Sequence, residues 1–137
     1  MSEIVSAASE ASSVGRIMVV DDELLIRESV VDIMAACDVE VVAAADGSEC
    51  LRLLREGFRG LIFMDVQMPG MNGWQTIREI ENFGMIDGNV FIMLTGLDQP
   101  DEQMDGLQQY VVDYMRKPFA INELIMATQT YGNYLQG

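Results

Sequence analysis

The chain has 137 residues, 50% of them hydrophobic, and only three prolines, which is enough for one compact domain with its own core. Its 22 acidic residues against 8 basic ones give a formal charge of −14, which repels nucleic-acid phosphates and anionic lipid unless cations gather in one patch. Histidine is absent and lysine occurs once, as Lys117, so Ser-His and Cys-His nucleophile pairs and His-ligated zinc are excluded together.

Residues 1–15, MSEIVSAASEASSVG, are rich in Ser, Ala and Glu and read as a flexible N-terminal arm, with the folded domain over 16–137. The arm lacks a basic start and a long apolar stretch, so no export signal is expected. Apolar runs such as VFIML fall far short of the ~20 residues that span a bilayer, so the chain reads as soluble and cytoplasmic, without membrane contact. RIMVV (16–20) predicts a strand, followed by a helix from Leu24 to about Cys37. VEVVAA (39–44) predicts a second strand and then a helix from Ser48 to Glu56, capped by Asp46 with Glu49 three residues on. LIFM (61–64) precedes a helix from about Trp74 to Asn82. VFIML (90–94) precedes a helix from about Asp101 to Gln108, and VVDYM (111–115) precedes a last helix from Ile121 to about Tyr134. Five strand–helix repeats result.

Within those repeats, Arg52, Arg55 and Arg59 recur along one helical segment and read as a solvated face rather than a nucleic-acid site. Cys37 and Cys50 fall in helical patterns without a CxxC motif and read as reduced packing thiols. Met64, Met68 and Met71 read as core filler, and Trp74 as a packed residue at the start of the third helix that reports on the nearby site by fluorescence.

Strands that are apolar throughout and separated by helices predict a doubly wound α/β fold, a five-stranded parallel sheet with helices on both faces. Ligands of such sheets bind outside the carboxyl ends of the strands. There the first strand ends in Asp21 and Asp22, the third in Asp65 and the fourth in Thr95 and Gly96, while Lys117 and Pro118 follow the fifth. Alone, each has an ordinary explanation as a helix cap, a turn residue or a surface charge. Together, converging carboxylates must share protons or hold a cation. Mg²⁺, a hard ion that takes oxygen ligands and then accepts a phosphoryl oxygen, suits them. Asp65 then becomes a candidate nucleophile toward phosphorus. Asp22 and Asp21 are placed to hold the metal, Lys117 to pair with carboxylate or phosphate, and Thr95 to donate to a phosphoryl oxygen. Gly96 keeps the approach open.

VVDDE (19–23), FMDVQMPGMNGW (63–74), MLTG (93–96) and YMRKPF (114–119) stand in the order, and close to the spacing, of the receiver domain of two-component response regulators. The chain resembles that family from about Arg16 to Tyr134, and the resemblance implies the flavodoxin-like fold of the chemotaxis regulator. It further implies that Asp65 accepts a phosphoryl group from a histidine kinase, a phosphotransfer protein or a small phosphodonor. The reaction would depend on Mg²⁺ and be catalysed largely by the receiver itself, making the chain a phosphoacceptor switch rather than an enzyme. Metal ligands would be Asp22, Asp65 and the Gln67 backbone carbonyl, with Asp21 acting through water. A cis peptide is expected before Pro118. Thr95 and Tyr114 would form the switch, with Tyr114 moving inward as Thr95 is drawn toward the phosphoryl group. The surface of the fourth helix, fifth strand and fifth helix would repack for a partner protein, a fused output domain or a second copy in a phosphorylation-driven homodimer. Gln67 and Leu97 would border the water that dephosphorylates Asp65. Tyr110 and Val111 depart from the family's usual Gly-Ala pair, which predicts an early end or altered packing for the fourth helix.

Other readings are weaker on the residues. A haloacid dehalogenase phosphatase needs a second aspartate two places after its nucleophile, where this chain has Gln67. A flavin carrier needs a hydroxyl- and glycine-rich phosphate loop after the first strand, where DDELL would repel the phosphate. A docking module that no longer transfers phosphate would not need the complete set of acceptor-site residues.

Overall fold

A computed structural model of the chain describes residues 16–96 and 106–136, with the side chains after Tyr131 left aside. Its elements are β1 (Ile17–Val20), α1 (Leu24–Ala35), β2 (Val41–Ala44), α2 (Gly47–Arg55), β3 (Leu61–Asp65), α3 (Gly73–Asn82), β4 (Val90–Thr95), a 3₁₀ turn (Gln108–Tyr110), β5 (Val111–Arg116) and α4 (Ile121–Gln136). All strands pair in parallel, in the order β2-β1-β3-β4-β5. This is the flavodoxin-like order, in which the chain first winds outward from β1 to β2 and then reverses to β3. The expected doubly wound fold is therefore observed.

Alternation along the strands sorts the core into two layers. Met18, Val20, Ile62, Met64, Phe91 and Met93 point to one face, where Leu51 and Leu54 of α2 and Trp74, Ile77 and Ile80 of α3 cover them. Ile17, Val19, Leu61, Phe63, Ile92 and Leu94 point to the other, beneath Val30 and Met34 of α1 and Leu124 and Ala127 of α4. Strand residues are apolar on both faces because each face has its own helical cover.

Most predicted boundaries hold to within one or two residues, the usual scatter at element ends. Asp46 caps α2 by accepting from the Glu49 N–H at 2.9 Å, while the Glu49 carboxylate reaches back to the Ala45 N–H at 2.9 Å. α3 gains a reciprocal capping box between Asn72 and Gln75. Other expectations need correction. α1 stops at Ala35, and the backbone turns through Asp38 at φ 63°, which leaves Cys37 exposed rather than packed. The expected fourth helix, Asp101 to Gln108, lies outside the described residues up to position 105. Gly106 has φ 82° and Gln108 already belongs to the 3₁₀ turn, so that helix does not extend to Gln108. The departure at Tyr110 acquires a role, since its hydroxyl donates to Glu81 of α3 at 2.6 Å. The arm (1–15) and Leu97 also lie outside the described residues. Among the described residues no helix is long and apolar enough to cross a membrane.

Candidate functional site

Strand register brings the predicted residues to one edge. Val20 pairs with Met64, so the residues that follow, Asp21 and Asp65, emerge side by side at the carboxyl ends of β1 and β3. This is the point where the winding reverses, and it is where such sheets bind ligands. Asp65 pairs with Leu94 and Thr95 with Arg116, which sets Thr95 and Lys117 along the same edge. The Lys117 N–H donates to the Thr95 carbonyl at 2.9 Å, and the Lys117–Pro118 peptide is cis, as expected. On the far side, α3 begins directly against the β3 end. A Cβ on Gly73 would collide with the Asp65 carbonyl oxygen, so only glycine allows that approach.

Asp21 is fully buried, Asp65 is buried, and Asp22 is exposed at the rim, yet each offers a carboxylate oxygen within 4.8 Å of the others. The Lys117 ammonium sits among them, 2.7 Å from Asp21 Oδ2, 3.3 Å from Asp65 Oδ2 and 3.3 Å from Glu23 Oε1. The contact with Asp21 is ionic, because no aligned hydrogen bond reaches that buried Oδ2 atom. Asp65 Oδ1 accepts from the Gln67 N–H at 3.2 Å, and Asp21 Oδ1 from the Glu23 N–H at 2.9 Å.

The electrostatic consequence falls on Asp65. Burial, reinforced by the Asp21 charge, pushes its carboxyl up to about 7, although Lys117 and the Gln67 N–H pull it down. Burial opposes the Lys117 ammonium too, but its close pairing with Asp21 and the charge of Asp65 outweigh it and raise its pKa. One ammonium thus faces three close carboxylates and a fourth at Glu23. Such a set still attracts positive charge. An all-oxygen donor set, with one buried carboxylate oxygen lacking an aligned hydrogen bond, fits a small hard divalent cation.

Thr95 is half-buried at the end of β4, and Gln67 is exposed in the loop after β3. Tyr114 is 42% exposed on β5, with its ring 6.4 Å from that of Trp74 and tilted by 50°. Partial burial raises the Tyr114 phenol. Trp74 is buried as expected, and its indole N–H has no hydrogen-bond acceptor among the described residues.

Sequence reasoning missed Glu23 as a Lys117 partner. It also missed Arg27, whose guanidinium folds back to donate to the Asp21 carbonyl at 2.8 Å and so holds the β1–α1 loop. Glu23 carried a usable signal, being the third acid of DDE. Arg27, six residues from Asp21, carried none, because its reach depends on a side-chain conformation and not on a period.

The family model described as the response regulator receiver domain matches residues 17–129. The response regulator MprA of Mycobacterium sp. (strain KMS) is 34% identical over 110 residues, which cover 80% of this chain and 47% of that protein. The chain spans about half the length of the curated relatives it matches. Among solved structures, the CheY-like receiver domain protein of Methanospirillum hungatei JF-1 superposes with a TM-score of 0.85 at 39% identity, over 90% of this chain and 98% of that one. The Vibrio cholerae chemotaxis protein CheY4 gives a TM-score of 0.74 at 27% identity, over 85% and 97% of the two chains. Matched over most of its length by the family model and by full-length receiver structures, the chain belongs to the response regulator receiver domain family.

Proposed function

We propose that this domain, residues 16–137, is a phosphoacceptor switch in which Asp65 takes a phosphoryl group from a histidine kinase, a phosphotransfer protein or a small phosphodonor. The observation that carries this reading is the Lys117 ammonium held within 3.3 Å of Asp65 and 2.7 Å of Asp21 at the carboxyl edge of the sheet. An Asp65 carboxylate oxygen attacks phosphorus, the bond from phosphorus to its donor atom breaks, and Asp65 becomes an acyl phosphate. Only the ionised carboxylate is nucleophilic, so the proton that burial favours at Asp65 must leave first. Lys117 favours that loss by pairing with the carboxylate, and it then offers its charge to the incoming phosphoryl oxygens. Asp22, Asp65 and the Gln67 carbonyl, with Asp21 through water, would hold Mg²⁺, which when bound supplies further neutralisation of carboxylate and phosphoryl charge.

Thr95 donates its hydroxyl to a phosphoryl oxygen, and Tyr114, beside Trp74, moves inward as Thr95 shifts. Repacking of β5 and the flanking helices then presents a changed face to a partner, a fused output domain or a second copy. The domain acts in the cytoplasm, touches neither nucleic acid nor membrane itself, and transfers phosphate to itself rather than turning over a substrate.

Incubation with Mg²⁺ and acetyl phosphate, followed by intact-mass measurement, tests this reading. A phosphoryl adduct that disappears in Asp65→Asn supports it. Steady hydrolysis of acetyl phosphate with no adduct supports a phosphatase instead, and neither adduct nor hydrolysis leaves a docking module.

A further inference from the structure

The geometry points to a second docking surface, the groove between α2 and α3, shaped for an acidic segment of a partner protein that carries an apolar anchor between its carboxylates. The inference does not rest on the phosphoacceptor reading. α2 and α3 touch at their first turns, where a Cβ on Gly47 would collide with the Thr76 hydroxyl. Between them lies an open groove of about 590 Å³, running from Met71 and Gln75 to Phe83 along α3 and from Leu51 to Arg55 along α2. Leu51, Met71 and Phe83 supply its apolar lining. Phe83, the residue after α3, is 55% exposed. The Arg55 guanidinium lies 5.1 Å from its ring centroid and bridges the two helix ends. Arg78 adds a second guanidinium to the lining, against a single carboxylate from Glu79.

Charge decides what such a groove takes. The chain carries −14 overall with eight basic residues, yet Arg55 and Arg78 line this groove against Glu79 alone, while Arg52 on the same helix as Arg55 is neutralised by Glu56 at 2.8 Å. The lining is net positive on a strongly acidic molecule, so an acidic ligand meets attraction here and repulsion over most of the remaining surface. Apolar floor and cationic rim together match a helix or strand that presents a leucine or phenylalanine flanked by glutamates.

Two short amphipathic peptides with identical leucine and phenylalanine positions, one with glutamate and one with lysine at every polar position, test this against the ¹⁵N-labelled chain by NMR. The overall charge alone favours the lysine peptide, so the expected result runs against that bias. The glutamate peptide shifts the amides of Leu51, Arg55, Gln75 and Phe83, and its affinity falls on the order of tenfold in Arg55→Glu and also in Phe83→Ala. Both side chains are exposed, so these variants keep the fold, which their melting curves check. The proposal is overturned if the glutamate peptide leaves these amides unmoved at millimolar concentration, or if the lysine peptide or a single-stranded oligonucleotide shifts them as strongly.

Discussion

The two edges of the sheet handle buried polarity in opposite ways. At the amino edge, Asn89 is buried with every contact neutral and matched: its side-chain oxygen accepts from the Gly60 N–H at 2.8 Å and its amide donates to the Met85 carbonyl at 2.8 Å. At the carboxyl edge, Asp21 and Asp65 are just as buried, yet they repel each other, share one ammonium and leave Asp21 Oδ2 without an aligned hydrogen bond. A satisfied network contributes stability, whereas a crowded charged one costs stability unless a ligand arrives to neutralise it. The contrast separates an edge whose polar groups are matched from one whose carboxylates still attract positive charge.

Breaking the charged edge gives the largest effect. Lys117→Met is expected to slow phosphorylation by acetyl phosphate by roughly a hundredfold or more, since it removes a preorganised cation from the developing phosphoryl charge. Adduct formation followed by mass spectrometry measures it. The neutral edge breaks in the reverse sense. Asn89→Ala strands the Gly60 N–H and the Met85 carbonyl and is expected to cost about 1–3 kcal/mol in urea unfolding, while phosphorylation of the folded fraction is unchanged.

The pH dependence sharpens the comparison further. In the absence of divalent cation, the folded carboxyl of Asp65 titrates near 7 against 3.8 for its ordinary value. A raised acid binds its proton more tightly in the folded state, so its contribution to stability is greatest below about 4. It falls as pH rises from there to about 7, and is flat above. Asp65→Asn abolishes that fall, so the stability difference between variant and wild type grows as pH rises through that window, which urea unfolding at pH 4 and pH 8 measures. The smallest effect concerns the thiols. Burial pushes Cys50 up to about 12, whereas Cys37 is exposed, so one equivalent of a thiol reagent reacts at once and the second only on unfolding.

How much of this was legible in the sequence follows from the physics of each feature. Strands declared themselves through runs such as LIFM and VFIML, because residues buried on both faces must be apolar on both faces. Once a parallel sheet was inferred, the strand ends placed Asp21, Asp65, Thr95 and Lys117 on one edge without knowledge of any side-chain contact. The contacts themselves were not legible. Lys117 lies closer to Asp21 than to Asp65 and also reaches Glu23, choices made by side-chain conformation in a crowded space. Cys37 looked helical by pattern, but the left-handed turn at Asp38 ends α1 early and exposes it. Gly106 and the tie from Tyr110 to Glu81 likewise belong to tertiary packing, which periodicity does not encode.

The central claim is that the crowded carboxyl edge is completed by a divalent cation that makes Asp65 competent. Mg²⁺ titrated into the ¹⁵N-labelled chain at pH 8, with the Asp22→Asn and Asp65→Asn variants in parallel, tests it most directly. The account predicts saturable shifts of the Asp22, Asp65 and Gln67 amides, a higher melting temperature with Mg²⁺, and weaker binding in each variant. Amides that stay in place as Mg²⁺ rises, or shifts that persist unchanged when Asp22 and Asp65 are neutralised, would contradict it.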